Sequence, residues 1–209
     1  MKREFWQGRW DTKQIGFHEG RPNDLLVAHA DRFAPKSRIL VPLAGKAADL
    51  GWLADQGHEV VGVEFVRRAI DELFEGVDVR AHRLGLHEAF SARGITMVLG
   101  DMFAMKPVDL GTFDAIYDRA ALIALEPSTR AAYVEVCAAL NPKGPTLLIA
   151  FAYDPSKAPG PPFSIDDETV RELFAGRAVE RLETRPASVP PHMRESGIVS
   201  IEETIYRIG

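Results

Sequence analysis

Arg38 to Glu64, RILVPLAGKAADLGWLADQGHEVVGVE, is the stretch whose reading decides the fold. It opens on a short apolar run that reaches Pro42 and closes on the valine-rich segment Glu59 to Glu64, and both read as buried parallel strands. Between them, in Lys46 to Gln56, the residues Ala47, Leu50, Leu53 and Ala54 recur at helical spacing, and Gly57 stands where a helix would stop. The unit is therefore strand, helix, strand. In such a unit a ligand lies beyond the carboxyl ends of the strands, where a glycine turn lets backbone approach it and an acid closing the second strand bonds ribose hydroxyls. Gly45 is that turn here, and Glu64 is that acid.

The two strand ends are about twenty residues apart, the separation of a nucleotide-type site. A dinucleotide fingerprint needs three glycines in G-x-G-x-x-G, whereas this chain has P-L-A-G-K-A with one, so a pyrophosphate cradle is not expected. Gly45-Lys46 is not a P-loop either, because Ala47 stands where a Ser or Thr should hold magnesium and Leu40 where the first glycine should be. A nucleoside without phosphates remains. S-adenosylmethionine fits, with a ribose for Glu64 and no polyphosphate to cradle.

The 209 residues, 46% apolar, suit one domain able to bury roughly 70% of its unfolded surface. The expected division is an N-terminal lid segment, 1–36, and an α/β core, 37–209. A formal charge of −5 with no basic cluster argues against nucleic-acid binding and for a small-molecule partner. The single cysteine, Cys137, excludes an internal disulfide framework and a Cys-rich zinc site, and its helical context YVEVCAAL suggests core packing. No signal region or run of eighteen apolar residues occurs, so no membrane association and a cytoplasmic location are expected, as is a monomer.

The first 36 residues hold Trp6, Trp10 and Phe17, a density that suits either an amphipathic turn on the sheet edge or a lid. Asn23 caps a helix that runs to Phe33. Beyond Glu64 the expected elements are a helix Val66–Phe74, strands Ile95–Leu99 and Phe113–Asp118, a helix Thr129–Leu140, a strand Thr146–Ala152, a helix Asp166–Phe174, and strands Val179–Thr184 and Ile198–Arg207. Residues 77 to 93 carry His82 and His87 five apart, without Cys or carboxylate in ligand spacing, so no metal site is expected there. Tyr153 to Phe163 is a stiff loop rich in proline and glycine at a strand's carboxyl end, a place that commonly borders a site. The sum is a doubly wound, mostly parallel seven-stranded sheet with helices on both faces and an antiparallel last pair.

These residues resemble the thiopurine S-methyltransferases. The resemblance rests on F-W-x-x-R-W at 5–10, G-F-H at 16–18, V-P-L-x-G-K at 41–46, W-L-A-x-x-G-H-x-V-x-G-V-E at 52–64, D-R-A-A-L at 118–122 and Y-D-P-x-K-x-P-G-P-P-F at 153–163. It implies a Rossmann-like class I methyltransferase with a helical lid, using S-adenosylmethionine to methylate a small aromatic or heteroaromatic thiol. It places Trp10, Leu43, Glu64 and Arg119 around the cofactor, Trp6 and Phe17 in the covering segment, and Asp101 and Met102 on the adenine side. On the acceptor side it implies Phe17 and Phe163 against the ring, with Arg119 and Arg194 favouring the thiolate. Arg119 also has Asp118 and Asp114 nearby in sequence as ion-pair partners. His18 and Asp24 are the candidate general bases, though an aromatic thiol ionises readily enough to need none. Two departures stand out. Ala44 replaces a frequent Cys, and His192 stands where relatives carry a second arginine, which weakens the attraction for anions. Methyltransferases of halide, tellurite or thiocyanate, and a nucleoside-binding protein without catalysis, remain the alternatives.

Overall fold

The structure is a computed structural model that describes residues 3–13 and 19–209. Among these residues nine strands form one sheet: β1 Arg38–Pro42, β2 Glu59–Glu64, β3 Arg80–Leu84, β4 His87–Ala92, β5 Ile95–Leu99, β6 Ala115–Arg119, β7 Thr146–Ala152, β8 Val179–Ala187 and β9 Ile201–Ile208. Their order is β3-β4-β5-β2-β1-β6-β7-β9-β8. The five central strands, β5 to β7 in that order, are parallel, whereas β3, β4, β8 and β9 join through antiparallel pairs. The doubly wound α/β expectation holds, but with nine strands rather than seven. The added pair is the hairpin β3–β4, inside the 77–93 stretch, whose sequence predicts no strand. Leu84 pairs with His87, so the connection is the two-residue turn Gly85-Leu86, with Gly85 at φ +54°.

Among the described residues eight helices flank the sheet: α1 Arg3–Asp11, α2 Asp24–His29, α3 Ala48–Asp55, α4 Arg67–Leu73, α5 Pro107–Leu110, α6 Pro127–Leu140, α7 Asp167–Leu173 and α8 Pro191–Glu195. Strand alternation divides the core into two faces. Ile39, Val41, Ala115 and Tyr117 point toward Leu25 and Leu26 of α2 and Leu50 and Leu53 of α3. Leu40, Ile116 and Leu148 point the other way, toward Tyr133, Cys137 and Leu140 of α6 and Val170 of α7. Each fully buried Leu or Ile contributes roughly 1.5–3 kcal/mol. No helix among the described residues is long and apolar enough to cross a membrane.

The chain leaves β1 for β2 on one side and later returns to β6 on the other side of β1. That reversal opens a crevice at the carboxyl ends of β1 and β6, where doubly wound sheets place ligands. Two interactions shape its rim. Trp10, 3% exposed, packs with Phe65, Val66 and Ala69, with Trp6 against them, and so fastens α1 over the β2–α4 turn. On the opposite face of β6, the buried Asp118 carboxylate accepts the Tyr133 hydroxyl proton at 2.6 Å and the Leu122 N–H at 3.1 Å, which pins the turn that follows Arg119.

Two measurements check these roles. Trp10→Ala should expose the α1 amides to hydrogen exchange while protection across β1 and β2 persists, because the Trp10 cluster is separate from both main cores. Loss of protection in β1 and β2 would make α1 an integral part of the core. Burial pushes the Asp118 carboxyl up to about 6 from 3.8. Because the folded state then binds more protons than the unfolded one, stability falls as pH rises from about 4 to 6. Asp118→Asn keeps an acceptor for Leu122 and removes the ionisation, so its Tm relative to wild type should rise across that interval by several °C, the equivalent of on the order of 3 kcal/mol. A difference that does not change with pH would refute the assignment.

Candidate active site

The crevice is a cavity of about 810 Å³, large enough for a nucleoside and a second small molecule. Its floor is built from strand ends: Leu43 and Gly45 after β1, Glu64 and Phe65 at β2, Arg119 and Ala120 at β6, and Ile149 and Phe151 on β7. Trp6, Arg9 and Trp10 of α1 form one wall. Pro161 and Pro162, with Val189 and His192, form the other. Leu43 (φ +47°) and Ala120 (φ +63°) are non-glycine residues in the left-handed region, at the ends of the two strands that flank the crevice. Such backbone costs of order 1–3 kcal/mol per residue and concentrates at functional sites.

Glu64 is 6% exposed. Its carboxylate accepts the Gly45 N–H at 2.9 Å and the Val66 N–H at 2.7 Å, so one side chain ties the turn after β1 to the turn after β2. Burial pushes its pKa up, and the backbone hydrogen bonds oppose that shift. Gly45 sits at φ +54°, a conformation that glycine adopts without penalty. A carboxylate held at the cavity edge by two backbone donors fits a ribose diol. The Gly45 N–H already serves Glu64, so this turn is no phosphate cradle. The residues therefore fit S-adenosylmethionine better than a nucleotide carrying phosphates.

Arg119 occupies the β6 side of the floor and is 11% exposed. Its Nη2 lies 2.7 Å from Glu19 Oε1 and its Nη1 3.5 Å from Asp49 Oδ2. The partners suggested by sequence are otherwise engaged: Asp114 accepts the Arg38 N–H, and Asp118 faces Tyr133 across the sheet. Asp49, in the first turn of α3, is fully buried and also accepts the Asn23 N–H at 2.7 Å. Burial pushes the Asp49 carboxyl up, with Arg119 and the Asn23 bond acting against it.

Trp6, Trp10, Leu43, Gly45, Glu64 and Arg119 are thus brought together around one cavity. Other expected residues are placed differently. Asp101 follows β5 on the surface, where its carboxylate caps the Phe103 N–H at 3.0 Å. Met102 is 1% exposed and belongs to the α6-side core. Phe163 packs beneath Gly160, where an added Cβ would lie 2.5 Å from its ring, and beside the Arg130 guanidinium, leaving Pro161 and Pro162 to face the cavity. Arg194 is exposed. It follows His192 by two positions on α8, a rotation of roughly 200°, so the wall receives His192 and solvent receives Arg194. Phe17 and His18 lie outside the described residues. Asp24 faces solvent, paired with Arg21 and, at 3.7 Å, with Arg185.

Arg9, Glu19, Ile123 and Phe151 line the cavity without having been singled out from sequence. Arg9 had a signal, since it is a fixed letter of F-W-x-x-R-W. Glu19 had none, because it belongs to no strand end and no local pattern marks it.

Comparison with known proteins agrees with this geometry. The profile of the family described as Thiopurine S-methyltransferase (TPMT) matches residues 1–209. A thiopurine S-methyltransferase of Xanthobacter autotrophicus is 45% identical over 192 residues, covering 89% of this chain and 90% of that one. One of Pseudomonas putida is 40% identical over 214 residues, covering 100% and 99%. In fold, the chain is similar to the Burkholderia thailandensis 1,6-didemethyltoxoflavin-N1-methyltransferase solved with bound 1,6-didemethyltoxoflavin and S-adenosylhomocysteine, with a TM-score of 0.54 and 18% identity over 88% of this chain and 75% of that one. With the profile matched from end to end and relatives aligned over nearly their full lengths, the chain belongs to the thiopurine S-methyltransferase family of S-adenosylmethionine-dependent methyltransferases.

Proposed function

We propose that this protein transfers the methyl group of S-adenosylmethionine to the sulfur of a small aromatic or heteroaromatic thiol. The observation that carries the reading is one continuous cavity with a buried ribose-type acid, Glu64, on its β2 side and a wall of rings and prolines opposite. Bound S-adenosylmethionine supplies an electrophilic methyl group that a thiolate sulfur can take in one displacement, the sulfonium leaving as a neutral thioether. Glu64 and the Gly45 turn orient the ribose. Trp6 and Trp10 cover the cavity from α1, and Pro161, Pro162 and Val189 present apolar surface to an aromatic acceptor. By excluding water these side chains favour a step in which opposite charges disappear. Most of the acceleration then comes from holding the sulfur in line with the methyl carbon. Of the two residues expected to attract the acceptor, Arg119 reaches the cavity and Arg194 does not, while His192 lines the wall. The volume and the apolar wall favour an organic ring over halide or tellurite, which need far less space.

Two experiments test the reading. Glu64→Ala should weaken binding of S-adenosylmethionine, followed by calorimetry, by about 1.5–3 kcal/mol, the range for a hydrogen bond to a charged group. Equal affinity in mutant and wild type would remove Glu64 from the ribose. In a turnover panel of thiophenol, a thiopurine and iodide at equal concentration, aromatic thiols should lead, and iodide leading would promote the inorganic acceptor. In the same panel Arg194→Ala should leave the order of acceptors unchanged, because Arg194 is exposed and does not line the cavity.

A further inference from the structure

We propose that Glu19 sets the charge preference of the acceptor, by occupying the Arg119 guanidinium that an anionic acceptor would otherwise use. The inference rests on the thiol-methyltransferase reading of the same cavity. Arg119 is the cation on the cavity floor, yet carboxylates from two separate parts of the chain claim it: Glu19 at 2.7 Å and Asp49 at 3.5 Å. Asp49 is fully buried, anchored by the Asn23 N–H, and cannot swing away. Glu19 is different. Its side chain is 40% exposed and lines the cavity itself. Whether Asp49 is ionised or protonated, the three groups sum to −1 or zero, never to the +1 that a lone arginine would offer.

An acceptor bearing a carboxylate must therefore displace Glu19 from Arg119 or lie beside it. Two like charges held side by side on this partly buried floor repel each other more than they would in open water. The wall opposite adds no fixed compensating charge of its own at 192, where this chain has histidine. An acceptor whose only polar group is the reacting thiol meets neither difficulty. The thiolate charge is common to both kinds of acceptor and cancels from their ratio. Arg9 also lines the cavity, from α1, and is unchanged by any substitution at 19.

The test compares thiophenol with 4-mercaptobenzoate, near pH 8 where both thiols are ionised, in wild type, Glu19→Gln and Glu19→Asp. Two quantities are read: kcat/KM for methyl transfer, and the affinity of each thiol for protein saturated with S-adenosylhomocysteine. Wild type should favour thiophenol. Glu19→Gln should raise the 4-mercaptobenzoate to thiophenol ratio about tenfold in both quantities, and Glu19→Asp should stay close to wild type. A purely structural role would lower stability and leave the ratio alone. A ratio unchanged in Glu19→Gln, with thiols still bound or turned over, overturns the inference and spares the thiol reading. A shifted binding ratio without any methyl transfer supports Glu19 and overturns the thiol reading. Neither binding nor turnover in wild type overturns both.

Discussion

The arrangement depends on a carboxylate that should not be comfortable where it is. Glu64 ends a strand whose residues from Val60 onward are all buried, and an ionised carboxylate there costs several kcal/mol unless it is hydrogen-bonded. Two backbone N–H groups offset that cost, and they come from different turns, at Gly45 and Val66. The acid is therefore also a brace. By holding the two turns at a common distance it sets the width of the crevice on the β2 side, and Trp10 then closes over the same turn by packing on Phe65 and Val66.

The β6 side of the crevice is braced by a different logic. Tyr117 and Arg119 face the α3 side of the sheet while Asp118 between them faces α6, so three consecutive residues do three jobs. Asp118 fixes the turn that carries Ala120, Ile123 and Ala124 into the cavity, and its neighbour presents the guanidinium. Both sides use buried acids. One is satisfied by backbone donors, and the Asp49 acid beneath the other is satisfied by a backbone N–H and an arginine.

What was legible in the sequence follows from burial. The parallel strands β1, β2, β5, β6 and β7 are covered on both faces, so their apolar runs are nearly continuous and their bounds were found to within a few residues. The hairpin β3–β4 was missed because β3 is a sheet edge with no buried residue. Its pattern RAHRL shows no alternation, and the Gly85-Leu86 turn lacks the Asn or Asp that usually marks such hairpins. The other edge strand, β8, runs three residues beyond its expected end, to Ala187, for a related reason: its exposed charges resemble a loop, while its pairing with β9 is made by backbone.

Site residues divide along the same line. Positions at strand ends, such as Leu43, Glu64 and Arg119, are set by the sheet, so a match in sequence carries over to a match in space. Arg194 and Phe163 sit on a short helix and a loop, where a shift of one or two residues changes which side chain faces inward. His192 and the two prolines line the cavity there. Even a correctly placed residue does not bring its chemistry with it. Arg119 lines the cavity, but a resemblance between motifs says nothing of the two acids that answer its charge. One of them, Glu19, is 100 residues away in sequence and belongs to no strand end. The electrostatic character of this site is therefore a property of long-range neighbours, and only the folded arrangement reveals that the arginine is already paired.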